Sequence, residues 1–224
     1  MTLYKIAEID DTIIYDHDVE TLNPGSWVND AILHFHGRVL IEGKTKDNKE
    51  KVLFVPPCTV QYIRFYDAKD VFEQWKLNEF KMVFFPLTNG ISLNNRGSHW
   101  SLLVWFPHGY PLSDQQNLLS APLQPKFAFL DSIHCNGKPI SMAKELAHSV
   151  TSFFFPQKTN PDFQKCSVPR QNNCYDCGVY LMAFEDYLAS NNCIENAEQL
   201  ITSQYIKEYR DKLQKFIINF GKKN

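Results

Sequence analysis

Short continuous apolar runs lie in the middle of the chain and predict strands that are buried on both faces. Runs of four to eight apolar residues bounded by turn residues are typical of such strands. The runs are residues 52–55, 80–87, 100–106 and 127–130. Residues 107–125, between the last two, are rich in Pro, Ser, Gln and Asn and predict a long surface loop. The sequence therefore predicts one central sheet.

Apolar residues at helical spacing lie on both sides of these strands. A turn at residues 23–26 leads into a helix that has Asp30 in its early part. Three further helices are predicted after the strands, at residues 141–155, 177–188 and 199–220. Strands in the middle and helices at either end favour an α+β domain over a regular βαβ alternation. We expect residues 1–224 to form a single domain.

Composition and charge exclude several classes of protein and of binding partner. Of the 224 residues 44% are hydrophobic and 14% aromatic, which is enough for one sizeable core and excludes a disordered chain. The net charge of −2 leaves no excess of basic residues that could bind a phosphate backbone, so nucleic acid is not an expected partner. No apolar run approaches the ~18–20 residues of a membrane span. Because the first residues are acidic and resemble no signal peptide, we expect a cytoplasmic or nuclear protein with reduced cysteines.

Three separated residues indicate nucleophilic chemistry. His99 precedes one predicted strand and Asp131 follows another, so neighbouring strands can bring an imidazole and a carboxylate together. Cys177 lies where a loop enters an apolar helix, and a helix N-terminus favours the thiolate form. A thiolate beside an imidazole that a carboxylate holds is the arrangement that acyl transfer requires.

The motifs around these residues resemble the Ulp/sentrin-specific cysteine proteases, which cleave ubiquitin-like modifiers. The resemblance covers roughly residues 20–190. It includes the order of the motifs along the chain as well as their residue types. Its motifs are Ser26-Trp27-Val28-Asn29-Asp30, His99-Trp100, Leu130-Asp131-Ser132, Gln171 and Tyr175-Asp176-Cys177-Gly178. The short chain looks most like the small deneddylase branch of the family.

The resemblance implies a papain-like fold with a central mixed or antiparallel sheet flanked by helices. It also implies that Cys177 is the nucleophile, His99 the general base and later acid, and Asp131 the carboxylate that orients the imidazole. Gln171, six residues before the nucleophile, would bind the developing oxyanion together with the backbone N–H of Cys177.

The same resemblance implies substrate contacts and a partner. Trp27 and Trp100 would form the walls of a narrow tunnel that admits only the Gly-Gly end of a modifier, and Asp30 would contact the modifier itself. The expected partner is a Nedd-type modifier and its conjugates, with SUMO or ubiquitin as alternatives. No cofactor or metal is implied.

Other hypotheses fit parts of the sequence. Cys174 and Cys177 form a CxxC pair, which is also typical of thioredoxin-type redox sites and of half of a zinc site. Either hypothesis leaves His99, Asp131 and Gln171 unexplained. A module that binds a modifier without cutting it is a third hypothesis. His134 is an alternative imidazole, three residues after Asp131.

Overall fold

The computed structural model describes residues 3–41, 43, 52–66, 68–92, 97–109, 126–133, 137–191 and 196–223. A five-stranded mixed sheet lies at its centre, in the order β3-β4-β5-β6-β7, and a two-stranded hairpin precedes it. The outer pairs β3–β4 and β6–β7 are parallel, and the inner pairs are antiparallel. The strands are β1 Lys5–Ile9, β2 Thr12–Tyr15, β3 Val52–Phe54, β4 Met82–Thr88, β5 Trp100–Phe106, β6 Lys126–Leu130 and β7 Asp162–Lys165.

Helices cover both faces of this sheet. A π-helical turn at Gly37–Ile41 continues α2, and a 3₁₀ turn at Leu77–Glu79 follows α4. The described helices are α1 Asp16–Glu20, α2 Asp30–His36, α3 Pro57–Phe65, α4 Lys69–Trp75, α5 Lys138–Phe154, α6 Cys177–Asn191, α7 Ala197–Leu200 and α8 Ser203–Gly221. Among the described helices, none combines the length and apolar composition that crossing a bilayer requires.

The apolar runs are continuous because the sheet is buried on both sides. Alternate side chains of each strand enter two separate cores, since successive residues of a strand point to opposite faces. Phe84 and Val104 belong to the core that α2, α6 and α8 cover. Phe85 and Trp105 belong to the core that α3, α4 and α5 cover. The predicted α+β architecture with a central sheet is thus confirmed.

Several details differ from the predictions. The hairpin β1–β2, α1 and the edge strand β7 were not predicted. The predicted helix 199–220 is two helices, because α7 ends at Leu200 and Thr202 caps α8 by accepting a hydrogen bond from Tyr205 N. Residues 110–125 of the predicted loop lie outside the described residues.

The antiparallel pairing of β5 and β6 creates the position of the site. Leu102 pairs with Leu130, so the residues just before β5 and just after β6 meet at one edge of the sheet. His99 precedes β5, and Asp131 follows β6. Helix α6 packs against β5 with Cys177 as its first residue.

Candidate active site

His99 and Asp131 form a buried ion pair at this edge of the sheet. His99 Nε2 lies 2.8 Å from Asp131 Oδ1, and both side chains are almost completely buried. Asp131 Oδ1 also accepts a hydrogen bond from the backbone N–H of Ile133 at 3.0 Å. Because the carboxylate can only accept, Nε2 carries a proton and Nδ1 is the ring nitrogen left for a third group.

A turn between β4 and β5 fixes the backbone of His99. Asn89 Oδ1 accepts from the backbone N–H groups of Ser98, at 2.7 Å, and of His99, at 3.2 Å. Gly97 has φ +72°, and a Cβ there would lie 2.3 Å from Thr88 Oγ1 and 2.6 Å from Gly90 N. Only glycine satisfies both the left-handed backbone and this close approach.

The third group is Cys177, whose sulfur lies beside the His99 imidazole and interacts with it. Burial alone would lower the pKa of His99, but the hydrogen bond to Asp131 and the interaction with Cys177 outweigh burial and raise it to about 9. An imidazolium is therefore stable at neutral pH beside the sulfur. The thiol proton can reside on His99, which leaves a thiolate nucleophile.

The first turn of α6 packs tightly against the segment that carries Trp27. A Cβ on Gly178 would lie 3.0 Å from Val28 Cβ and 3.3 Å from Trp100 Cδ1, so the helix approaches as closely as it can. Trp100 Nε1 donates to the carbonyl oxygen of Val28 at 3.0 Å and joins the same two segments. The sulfur of Cys177 is held at a fixed place relative to both indoles.

Gln171 is buried near this edge, but its amide is already engaged. Its Oε1 accepts from Ser132 Oγ at 2.6 Å, and its Nε2 donates to Asn173 O at 2.8 Å. Its backbone N–H donates to Ser132 O at 2.9 Å. These bonds orient the NH₂ group and leave it one further N–H, which is the donor that an oxyanion needs.

An open cleft of about 220 Å³ leads to the sulfur. Its lining includes Trp27, Asp30, His99, Trp100 and Cys177. The indole of Trp27 is half-exposed, whereas that of Trp100 is more deeply buried. Six of the seven residues singled out from the sequence thus lie at the cleft or directly behind it, and Gln171 lies outside the lining.

Asp30 is exposed at the first position of α2. The residue before it, Asn29, caps the helix by accepting from Ile32 N at 3.1 Å and donates to the buried Asp18 Oδ1 at 2.7 Å. Asp18 also accepts from Tyr15 N at 2.9 Å. Helix α1, through Asp18, thereby orients the Trp27–Asp30 segment.

The sequence did not identify Asn89, Asp18 or Arg210. Asn89 and Gly90 follow the predicted strand 80–87 closely. An Asn-Gly pair at such a place is a turn signal from which the role of Asn89 could have been inferred. Arg210 carried a stronger signal, because it is a cation on the apolar stripe of α8 and such a residue requires a partner. Cys174 is exposed, and His134 lies outside the described residues.

Comparisons with known proteins find relatives that match most of the chain. Residues 26–223 match the family described as Ulp1 protease family, C-terminal catalytic domain. Sentrin-specific protease 8 of Rattus norvegicus is 27% identical over 221 residues, which are 96% of this chain and 94% of that protein. NEDD8-specific protease 1 of Arabidopsis thaliana is 23% identical, over 80% of this chain and 73% of that protein.

The fold is also found among solved structures. The C-terminal Ulp1 protease domain in complex with Smt3, the yeast ortholog of SUMO, superimposes with a TM-score of 0.68 at 16% identity. The match covers 98% of this chain and 89% of that one. At this identity the match shows that the two chains share one fold.

Proposed function

Because the chain belongs to the Ulp1 protease family and is a cysteine protease that acts on ubiquitin-like modifiers, we propose that it hydrolyses the bond after the C-terminal Gly-Gly of a Nedd-type modifier. The observation that carries the proposal is the Cys177–His99–Asp131 arrangement at the end of a cleft between two indoles. The relative named NEDD8-specific protease 1 supports a Nedd-type substrate.

In the first step Cys177 attacks the carbonyl carbon of the last glycine. His99 Nδ1 takes the thiol proton, and the sulfur forms a bond to carbon as the carbonyl electrons move to oxygen. The backbone N–H of Cys177 and the remaining N–H of Gln171 stabilise that oxyanion. Asp131 holds the imidazole by Nε2, so that Nδ1 faces the sulfur throughout.

The tetrahedral intermediate then collapses and expels the amine. The imidazolium of His99 donates its Nδ1 proton to the leaving nitrogen, and a thioester of Cys177 remains. Water attacks this thioester while His99 removes its proton, and the thiol is regenerated when the modifier leaves with a free carboxylate. Every proton that moves passes through one imidazole nitrogen.

The cleft explains why the substrate ends in glycine. Residues without side chains can lie between the indoles of Trp27 and Trp100, whereas a bulkier residue would displace one of them. This selection acts on the tail alone and is shared by every modifier that ends in Gly-Gly. Asp30, exposed beside the cleft, is the acidic contact that we assign to the body of the modifier.

A panel of modifiers that carry an electrophile at the C-terminus tests the substrate. We expect the Nedd-type probe to label the wild type fastest, as a mass increase of one modifier, and Cys177→Ala to remain unlabelled by any probe. Faster capture by the SUMO or ubiquitin probe would contradict the Nedd-type assignment and retain the chemistry. Labelling of Cys177→Ala would contradict the chemistry itself.

A further inference from the structure

Arg210 is a buried cation on the core-facing side of α8. Its neighbours on that side are apolar, among them Ile206, Leu213 and Ile217, and its own side chain is only 4% exposed. A guanidinium without partners at such a position would be strongly destabilising. The groups that bond to the Arg210 guanidinium therefore indicate its role in the structure.

The guanidinium joins two segments of the active site. Nε and Nη2 both donate to Asp176 Oδ1, at 3.1 and 2.6 Å, and Nη2 also donates to Tyr175 O at 3.3 Å. Nη1 donates to the carbonyl oxygens of Thr21, at 3.1 Å, and Asn23, at 3.2 Å. One side chain thus ties the loop before the nucleophile to the loop that leads to Trp27.

Asp176 is the residue immediately before Cys177, and its position makes its charge important. Its carbonyl oxygen accepts from Tyr180 N at 2.9 Å and so begins the nucleophile helix. Its other carboxylate oxygen accepts from Asn173 Nδ2 at 2.7 Å. An unpaired carboxylate on the residue before the nucleophile would oppose formation of a thiolate, because like charges disfavour each other.

The other charged groups near the sulfur do not replace Arg210. His99 faces Cys177 and becomes positive when it takes the thiol proton, but Asp131 behind it is negative. Asp30 lies across the cleft and adds a further negative group. Among the described residues that bond to Asp176, Arg210 supplies the positive charge.

We propose that Arg210 is a positioning residue for the nucleophile, which neutralises Asp176 and fixes the Cys177 loop against the segment that leads to Trp27. The inference rests on the proposed role of Cys177 as the nucleophile. Arg210 does not touch the substrate; it acts through Asp176 and through the start of α6.

The first measurement needs no substrate. The rate of Cys177 alkylation by iodoacetamide is followed against pH, with the Cys177 peptide identified by mass spectrometry because the exposed thiols of Cys58 and Cys174 also react. We expect Arg210→Met to move the midpoint of this profile upward by about one pH unit, the usual effect of a nearby unpaired like charge. An unmoved midpoint would overturn the proposal.

A double variant separates charge from folding. Asp176→Asn/Arg210→Met removes both charges, and we expect its midpoint to return close to the wild-type value although the tie between the loops is lost. If Arg210 were only structural, this variant would alkylate no differently from Arg210→Met. Arg210→Lys keeps the positive charge, and we expect it to keep the wild-type midpoint of the alkylation profile. This variant remains available for measurement if Arg210→Met is too unstable to purify.

Turnover provides the second readout. We expect Arg210→Met to lower kcat on a Nedd-type modifier amide by about 10- to 100-fold with KM nearly unchanged, as a misplaced nucleophile would. Because the double variant lacks the same tie between the loops, we expect it to share this loss of kcat, and wild-type turnover in the double variant would count against the positioning role. If the wild type cleaves no modifier, the proposed function fails, whereas the alkylation profiles still decide the role of Arg210.

Gln214 is the matched control. It lies one turn after Arg210 on α8 and donates to Val19 O and Asn23 Oδ1, so it holds the same N-terminal loop without contacting Asp176. We expect Gln214→Ala to leave the alkylation midpoint unchanged. A shift as large as that of Arg210→Met would show that loop anchoring alone controls the thiol.

Discussion

His36 lies without solvent exposure at the end of α2, between two carboxylates of α6. Its Nδ1 is 3.1 Å from Glu185 Oε2, and its Nε2 is 3.5 Å from Asp186 Oδ1 and 2.9 Å from Tyr209 OH. Burial alone would lower the pKa of His36, but the hydrogen bonds to Asp186 and Glu185 outweigh it and raise the pKa to about 9. A buried imidazolium thus joins α2, α6 and α8.

The size of its contribution follows from that shift. An increase in the pKa of His36 from 6.5 to about 9 corresponds to about 3 kcal/mol of folding free energy. Because the folded pKa is the higher one, this stability is complete below pH 6.5 and is lost as the pH rises through 9. Burial also raises the pKa of Glu185, to about 7, which makes stability fall in the same direction.

Urea unfolding of the wild type and His36→Gln at pH 6 and pH 9.5 measures the effect. We expect the difference in unfolding free energy to shrink by about 3 kcal/mol at the higher pH, or about 6–12 °C in melting temperature for a chain of this length. His99 titrates in both proteins and cancels in the difference. His17→Gln, at an exposed site, should show a small difference at both pH values. An equal difference for His36→Gln at pH 6 and 9.5 would refute the assignment of charge to His36.

Two further predictions concern the cleft. We expect Gln171→Ala to slow acylation by about 10²–10³-fold, as loss of one oxyanion donor does, whereas an unchanged kcat would leave Gln171 a residue that only anchors the Ser132 loop. We expect Asp30→Ala to weaken binding of the modifier with little change in melting temperature, because Asp30 is exposed while Asn29 caps the helix. A large fall in melting temperature with unchanged affinity would instead assign Asp30 to helix stability.

The sheet was predictable from the sequence because its inner strands are buried on both faces. β4 and β5 form continuous apolar runs, which few other structures produce. β7 has the sequence DFQK and lies at the sheet edge, largely exposed, so its composition contains no such signal. The hairpin β1–β2 turns through Asp10 at φ +50°, and its strands have only five and four residues, near the lower limit of a recognisable strand pattern.

The candidate site was predictable where the proposed role requires one residue type. Cys177, His99 and Asp131 were identifiable because each lies at the end of an element and because their order resembles a known family. Residues that act through the backbone or through a second side chain were not identifiable in this way. Asn89 and Arg210 have their effect through contacts distant in sequence, and only the folded chain shows those contacts.

The central claim is that Cys177 is the nucleophile, and one measurement tests it directly. A Nedd-type modifier that carries a C-terminal fluorogenic amide is incubated with the wild type, Cys177→Ala and Cys174→Ala, and binding is measured in parallel. We predict that Cys177→Ala binds the modifier normally and releases no fluorophore, while Cys174→Ala, altered at the exposed neighbouring thiol, remains active. Full hydrolysis by Cys177→Ala would contradict the account.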